Sequence, residues 1–174
     1  MHTLKNPSTI KNIVPNSSAK KLKPKFIFIS GGVISGLGKG ISTASIGFLL
    51  KAAGLKVSIL KVDMYLNVDA GTMNPVEHGE VFVTEDGIET DQDLGNYERF
   101  LNQTFGKHNY LTIGKVYWDI LNKERALGYN GKTVQGHIHV PEDITNKIID
   151  VAKKDKADVV LIAVSYTHLT LPTN

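Results

Sequence analysis

The stretch FIFISGGVISGLGKG, residues 26–40, decides the fold. Its first four residues, 26–29, are a continuous apolar run, which is typical of a strand buried on both faces of a parallel sheet. A glycine-rich turn follows and ends at Gly40. Apolar residues then recur at helical spacing, and Gly54 stands where a left-handed helix cap belongs, so we predict a helix over residues 39–53.

Residues 57–62 have the composition of a second strand, so the chain starts as strand, loop, helix, strand. This order predicts an α/β fold with a doubly wound parallel sheet. Residues 63–93 are rich in glycine and polar side chains. This segment is longer than a connection between two elements needs to be, so we expect it to bind something. The other predicted elements are a strand at 80–84, helices at 94–105 (closed by Gly106) and 115–126, a helix beginning at Pro141, and a strand at 159–162.

The charge of the chain is unevenly distributed. The net charge is +3, but residues 1–25 hold six lysines and no acidic residue, which leaves 14 basic and 17 acidic groups in residues 26–174. We therefore expect no nucleic-acid partner and interpret residues 1–24 as a basic, disordered extension without function. The absence of cysteine excludes a thiolate nucleophile, and the short apolar runs predict a cytoplasmic protein that does not contact a membrane.

The turn after residue 29 is predicted to bind phosphate. Glycines allow backbone amides to converge on phosphate oxygens, the helix start adds its positive end, and Lys39 supplies a mobile cation. Two features depart from the usual motif, because five residues separate Gly32 from Gly38 and because Gly40 replaces the serine or threonine that binds Mg²⁺. From the motif alone, a glycine-rich turn with a solvated Lys39 remains an alternative.

Three further segments carry a family resemblance. They are KVDMYLNVDAGTMNP at 61–75, EHGEVFVTEDG at 77–87 and ETDQDLGNYERF at 89–100. Together with the glycine-rich loop they resemble CTP synthase, whose amidoligase domain opens with these motifs in this order. The resemblance covers residues 25–162 and accounts for Gly40, since the loop of the family itself reads Gly-Lys-Gly.

The resemblance implies a phosphate-loop NTPase-like fold, close to that of dethiobiotin synthetase, and a Mg²⁺-dependent ligase reaction. In that reaction ATP phosphorylates the C4 oxygen of UTP, and ammonia from glutamine displaces phosphate to give CTP. It assigns Lys39 and Lys61 as catalytic residues and places Ser35 at the UTP site, where CTP acts as feedback inhibitor. The residues it assigns to nucleotide and cofactor binding are Ser35, Gly36, Leu37, Gly38, Lys39, Gly40, Ile41 and Asp93.

Asp93 has two competing interpretations. Thr90-x-x-Asp93 before an apolar helical run is a capping box, in which Asp93 would bind the amide of Thr90. The resemblance instead makes Asp93 a Mg²⁺ ligand, and a hard oxygen ligand is what that metal prefers. We expect the metal role, with Asp91 as the nearby alternative ligand.

The histidines carry weaker signals. His137 and His139 alternate with apolar residues, which would put both rings on one face of a strand, yet we interpret them as structural rather than as a metal pair. His139 matches a histidine of the family, although Ile138 stands where the family has proline. The roles of His78 and Glu80 stay open.

The end of the chain departs from the family. Its members follow the strand at 159–162 with a glutamate that is a second Mg²⁺ ligand, whereas this chain has Ala163. Residues 163–174 resemble translated adaptor sequence and are expected to be non-native. We expect the 174 residues to be a fragment that lacks the glutaminase domain and is inactive by itself. The resemblance also implies that the full-length protein forms a homotetramer.

Two other functions remain open. The first is a different phosphate-loop ligase or ATPase, such as a dethiobiotin-synthetase-like ligase or a partitioning-type ATPase. Both groups place serine or threonine after the loop lysine, which Gly40 argues against. The second is a nucleotide-binding module without catalysis.

Overall fold

A parallel sheet forms the centre of the computed structural model, which describes residues 23–31 and 38–165. The strands are β1 (Lys25–Ile29), β2 (Val57–Asp63), β3 (Val81–Val83), β4 (Glu89–Asp91), β5 (Tyr110–Thr112) and β6 (Val159–Val164). The helices are α1 (Lys39–Ala52), α2 (Pro75–His78), α3 (Gln92–Leu101), α4 (Ile113–Arg125) and α5 (Gly136–Lys154), with a short 3₁₀ helix at Lys107–Asn109. None of the helices in the described ranges is long and apolar enough to cross a bilayer.

Within these ranges the main sheet has the strand order β1-β6-β2-β5, and every neighbouring pair is parallel. The last strand, β6, lies between the first two, so that Ala163 pairs with Ile29 on one side and with Lys61 on the other. Parallel strands bring their carboxyl ends to the same edge of the sheet. The ends of β1, β2 and β6 therefore meet where α1 begins.

Helices cover both faces of this sheet. α1 and α3 pack on one face, and α4 and α5 pack on the other. The first cluster includes Ala44, Leu94, Ile59 and Leu161. The second cluster includes Val116, Val151, Leu60 and Val160. Successive residues of β6 alternate between the two clusters, which explains why this strand is apolar without interruption. β2 is buried along its whole length as well, but it contains Ser58, Lys61 and Asp63.

The predicted doubly wound α/β fold is confirmed. β1, α1, β2, β3 and β6 lie within one or two residues of their predicted bounds. Gly54 has a φ of +87°, the left-handed conformation expected after α1. α4 agrees closely with prediction, whereas α3 ends at Asn102, in a left-handed conformation, and not at Gly106.

One helix prediction was wrong. α5 begins at Gly136, not at Pro141, which lies inside it. Val140, Ile144 and Ile148 continue one apolar face through the proline and pack on the second cluster, so tertiary packing outweighs the local preference to start a helix at proline. His137 and His139 are consequently helical and do not share a strand face.

A polar network joins the end of α5 to β2. Asp155 accepts hydrogen bonds from Ser58 Oγ at 2.5 Å and from Asn109 Nδ2 at 3.1 Å, and it pairs with His108 Nε2 at 2.6 Å. Partial burial works against the charged carboxylate, but the hydrogen bonds from Ser58, His108 and Asn109 hold the pKa of Asp155 below its ordinary value.

We expect Asp155→Asn to lower the free energy of unfolding by about 1–2 kcal/mol at neutral pH. The folded pKa is depressed, so the stabilisation is present above the unfolded pKa of about 3.9 and is lost as the pH falls through the lower folded pKa. The deficit of the variant should therefore shrink between neutral pH and about pH 3 in urea denaturation. Asp150→Asn is the control, because Asp150 is exposed and forms a surface ion pair with Lys153. A deficit of equal size at both pH values would contradict this account.

Candidate functional site

The start of α1 has local features that would suit an anion. Gly38 precedes the helix with a φ of +74°, and the first turn contains no acidic side chain. The first amides of a helix have no partner within it, and glycine offers no side chain to cap them. Lys39 Nζ donates to the carbonyl oxygen of Gly31 at 3.1 Å, so the lysine side chain reaches back to a residue just after β1.

The dominant feature beside this helix start is a buried ammonium group. Lys61 is 2% exposed, and its Nζ lies 3.0 Å from Asp63 Oδ1, 2.5 Å from Asp91 Oδ2 and 3.2 Å from Asp93 Oδ2. Burial alone lowers the pKa of a lysine, but the three carboxylates outweigh it and hold the pKa of Lys61 above its ordinary value. Lys61 is therefore charged, and the formal charges of the one lysine and three aspartates sum to −2. We call them the Lys61 cluster.

Each carboxylate of the Lys61 cluster is held by a different element. Asp63 ends β2, Asp91 ends β4, and Asp93 lies in the first turn of α3. Their exposure differs, at 0% for Asp63, 20% for Asp91 and 38% for Asp93. The cluster thus has a closed side toward the sheet and an open side toward α1.

Two tyrosines close the buried side. Tyr65 Oη donates to Asp63 Oδ2 at 2.9 Å and contacts the hydroxyl of Tyr110. Burial and the Asp63 charge both raise the pKa of Tyr65 and that of Tyr110, so the hydroxyls stay protonated at neutral pH. The other oxygen, Asp63 Oδ1, is buried, forms an ion pair with Lys61 at 3.0 Å and accepts no hydrogen bond from the part of the chain that the structure describes.

The capping interpretation of Asp93 was wrong. The N-cap of α3 is Asp91, whose Oδ1 accepts a hydrogen bond from the Asp93 amide at 2.9 Å. Thr90 instead donates its hydroxyl to the carbonyl oxygen of Phe82 at 3.0 Å. The Asp93 carboxylate therefore does not cap α3, and its Oδ2 contacts the Lys61 ammonium instead.

Gly40 lets Asp93 approach α1. A Cβ atom at Gly40 would lie only 2.7 Å from Asp93 Oδ1, closer than non-bonded atoms tolerate. A serine or threonine at this position, as in the usual phosphate loop, would displace that carboxylate. The second glycine of Gly-Lys-Gly is thus explained by geometry, because the Asp93 carboxylate occupies the space that a side chain at position 40 would need.

The predicted site residues fall into three groups. Gly38, Lys39, Gly40 and Ile41 form the start of α1, and Ile41 is exposed. Lys61 and Asp93 are brought together in the Lys61 cluster. Ser35, Gly36 and Leu37 lie outside the described residues.

The sequence analysis did not single out Asp63, Tyr65 or Tyr110. An acidic residue at the carboxyl end of a parallel strand was the available signal for Asp63. His139 stacks edge-on against Tyr129 with ring centroids 5.0 Å apart, and its Nδ1 lies 3.0 Å from the backbone of Gln135. These contacts agree with its structural interpretation.

The carboxylates converge on Lys61 and not on an open point. In residues 23–31 and 38–165 no group of three or more histidine, cysteine, aspartate or glutamate side chains has the arrangement of a metal site. The Lys61 ammonium is the cation that these carboxylates surround.

Comparison with known proteins agrees with the fold. A family model described as "CTP synthase N-terminus" matches residues 25–169. The CTP synthase of Onion yellows phytoplasma is 57% identical over 148 residues, which are 85% of this chain and 27% of that relative. The CTP synthase of Methanopyrus kandleri is 56% identical over 144 residues, 82% of this chain and 27% of the relative. That of Clostridium acetobutylicum is 53% identical over 146 residues, 84% of this chain and 27% of the relative.

The parallel sheet and the strand-to-helix turn define an α/β protein with a phosphate-loop type of fold. The match covers most of the chain and the relatives are more than half identical, so the chain belongs to the CTP synthase N-terminus family. It spans 27% of the length of these relatives.

We expect Gly40→Ala to displace the Asp93 carboxylate from α1, because the new Cβ would lie 2.7 Å from Asp93 Oδ1. Alanine favours the helix by about 0.5–1 kcal/mol over glycine, which offsets the cost of moving one side chain. The free energy of unfolding should change by less than about 1 kcal/mol, and a crystal structure of the variant should show Asp93 rotated away.

Gly47→Ala is the control for this substitution. Its Cβ would meet Leu101 at 3.1 Å and Leu161 at 3.3 Å inside the core, so we expect overpacking to cost about 1–3 kcal/mol in urea denaturation. Finding Asp93 unmoved in Gly40→Ala would show that the glycine is not required for this approach.

Proposed function

We propose that this chain is the ATP-binding part of a CTP synthase, in which ATP phosphorylates the C4 oxygen of UTP and ammonia displaces the phosphate to give CTP. Membership of the family supports this reaction. The observation that carries the proposal is the position of the Lys61 cluster, which lies against Gly40 at the start of α1 with Lys39 one residue away. Two lysines, three carboxylates and a helix start whose N-cap residue, Gly38, has no capping side chain thus share one edge of the sheet.

The start of α1 would hold the triphosphate. Its first backbone amides and its positive end suit an anion, and Lys39 is long enough to reach phosphate oxygens from the first helical position. Lysines suit point contacts with phosphates. Phosphoryl transfer depends mainly on positioning and on neutralising charge, which is what this arrangement of amides and ammonium groups supplies.

The Lys61 cluster fits Mg²⁺ by the nature of its donors. Its oxygen ligands are carboxylates, Gly40 leaves the Asp93 carboxylate beside the helix start, and Asp63 Oδ1 is a buried oxygen without a hydrogen bond. Asp93 would hold the ion, with Asp91 as the neighbouring carboxylate. When bound, Mg²⁺ neutralises charge on the transferring phosphoryl group.

The neighbours of residue 163 in the sheet also bear on the proposed metal site. Ala163 pairs with Ile29 and Lys61 and is buried in the cluster that faces α1 and α3. A carboxylate at this position would lie next to Lys61, which supports the implied glutamate as a further Mg²⁺ ligand in the family. With alanine here, phosphate charge would be less neutralised, so the same observation favours a second candidate, a nucleotide-binding module without catalysis.

The remaining assignments rest on the family resemblance. Ser35 would lie at the UTP site, where CTP would act as feedback inhibitor, and the complete protein would form a homotetramer. The boundaries at residues 24 and 162 likewise stay predictions.

We expect Lys39→Ala to weaken ATP binding about tenfold or more, because a charge-assisted contact with phosphate is lost. Isothermal titration calorimetry of the chain with ATP and Mg²⁺ measures this affinity, and circular dichroism should show an unchanged fold. Lys154→Ala is the control, since Lys154 is an exposed lysine at the end of α5. Equal ATP affinity in wild type and Lys39→Ala would rule out the phosphate role.

We expect Asp93→Asn to reduce the dependence of ATP binding on Mg²⁺, because the amide carries no charge for the metal. Asp91 keeps capping α3 in this variant, and the free energy of unfolding should change by less than about 1 kcal/mol. Calorimetric titrations with ATP at several Mg²⁺ concentrations give the dependence. Asp119→Asn, which removes an aspartate on α4, should behave as wild type. If Asp93→Asn keeps the wild-type Mg²⁺ dependence, Asp93 is not the ligand.

A further inference from the structure

The Lys61 cluster contains more carboxylates than its ammonium needs. One carboxylate neutralises one ammonium, yet three surround Lys61 at 2.5–3.2 Å. Buried charges are costly unless they are compensated, so a surplus of negative charge here opposes folding. A second positive charge would remove the surplus.

The three carboxylates are not equivalent. Asp63 is fully buried and is held from behind by Tyr65, so it stays with Lys61. Asp91 and Asp93 are partly exposed, and the Asp93 carboxylate lies beside Gly40. Asp91 Oδ1 is fixed by the Asp93 amide, which leaves Asp91 Oδ2 and the Asp93 carboxylate as the oxygens that can change partner. Both are now occupied by the Lys61 ammonium.

We infer that the Lys61 ammonium is a resident cation that competes with a divalent cation for Asp91 and Asp93. When the divalent cation enters, these two carboxylates transfer to it, and Lys61 keeps its ion pair with Asp63. Lys61 then no longer pairs with Asp91 or Asp93, and its ammonium group can contact the anion at the start of α1. The exchange rests on the proposed function only in placing the cation at Asp93.

This exchange couples two requirements of the site. In the absence of nucleotide, Lys61 neutralises part of the cluster and keeps its affinity for divalent cations low. Entry of the cation releases Lys61 from Asp91 and Asp93 at the same time, so cation and ammonium reach the anion together. Asp63 acts as a positioning residue, because it retains Lys61 at the site during the exchange.

The test is Mn²⁺ binding to the nucleotide-free chain, measured by electron paramagnetic resonance in wild type and Lys61→Met. Methionine matches the unbranched lysine side chain up to Cε and removes the charged Nζ. We expect Lys61→Met to bind Mn²⁺ at least about tenfold more tightly, because a unit positive charge within a few ångströms of the ion is removed. A purely structural lysine would give unchanged or weaker binding.

The matched control is Lys115→Met. Lys115 also pairs with an aspartate, Asp119 at 2.5 Å, but lies on α4, outside the Lys61 cluster. This variant has the same change in net charge and should bind Mn²⁺ as wild type does. An equal gain in both variants would attribute the effect to net charge and would overturn the inference.

A folding defect does not hide the result. If Lys61→Met is unstable without metal, the inference requires Mn²⁺ to raise its melting temperature by more than that of wild type. Equal or smaller stabilisation overturns it. Asp63→Asn gives a second readout: with its buried partner neutral, Lys61 depends more on Asp91 and Asp93, so Mn²⁺ binding should be weaker than in wild type. Unchanged or tighter binding contradicts the exchange.

Failure of the exchange differs from failure of the proposed function. Unchanged Mn²⁺ affinity in Lys61→Met, with ATP binding still sensitive to Lys39→Ala, removes the exchange and keeps the nucleotide site. Tighter Mn²⁺ binding with ATP affinity insensitive to Lys39→Ala keeps the exchange and removes the nucleotide assignment.

Discussion

The ion pairs of one buried lysine connect the parts of this structure that matter for function. Lys61 lies in the interior of the sheet, where an uncompensated ammonium would not be tolerated. Its compensation comes from the end of β2, the end of β4 and the start of α3. β4, which pairs antiparallel with β3 in a separate two-stranded sheet, and α3 are therefore tied electrostatically to the central sheet, and Asp93 is drawn against α1 at Gly40. Loss of this charge would leave three acidic groups facing one another.

The register of the sheet explains why this cluster stands at the helix start. β6 is inserted between β1 and β2, so the carboxyl ends of three parallel strands meet beside α1. Ala163 is the neighbour of Lys61 across the sheet. A side chain at position 163 thus faces the same site as Lys61, and exchange of this residue between alanine and a carboxylate would alter the charge of the site directly.

Local patterns predicted the first three elements of the fold, and contacts distant in sequence determined much of the rest. β1, α1 and β2 were predictable because a continuous apolar run, a glycine-rich turn and helical spacing follow one another in 38 residues, 26–63. β4 (ETD) and β5 (YLT) lack the apolar run that marks the equally short β3 (VFV), and both were missed. The start of α5 was misplaced because packing of its apolar face outweighs the signal of Pro141.

In the candidate site, too, some residues were predictable from local patterns, whereas others depend on contacts distant in sequence. Lys39, Lys61 and Asp93 were predicted from motif and resemblance, and the structure places Lys61 and Asp93 3.2 Å apart. The role of Asp63 could not be predicted, since it depends on the buried hydroxyl of Tyr65 and on the direction of the Lys61 side chain. The capping box at Thr90 failed for a similar reason. Asp91 is the better-placed cap, and Asp93 is attracted to an ammonium 32 residues earlier in the chain.

The central claim is that the start of α1 and the Lys61 cluster form one site for a nucleotide and a divalent cation. A crystal structure of the chain with ATP and Mn²⁺, with the metal located by anomalous scattering, tests this most directly. The account predicts the triphosphate against the amides that follow Gly38 and a metal peak about 2 Å from a carboxylate oxygen of Asp93. Triphosphate bound elsewhere, or a metal that contacts no residue of the Lys61 cluster, would contradict it.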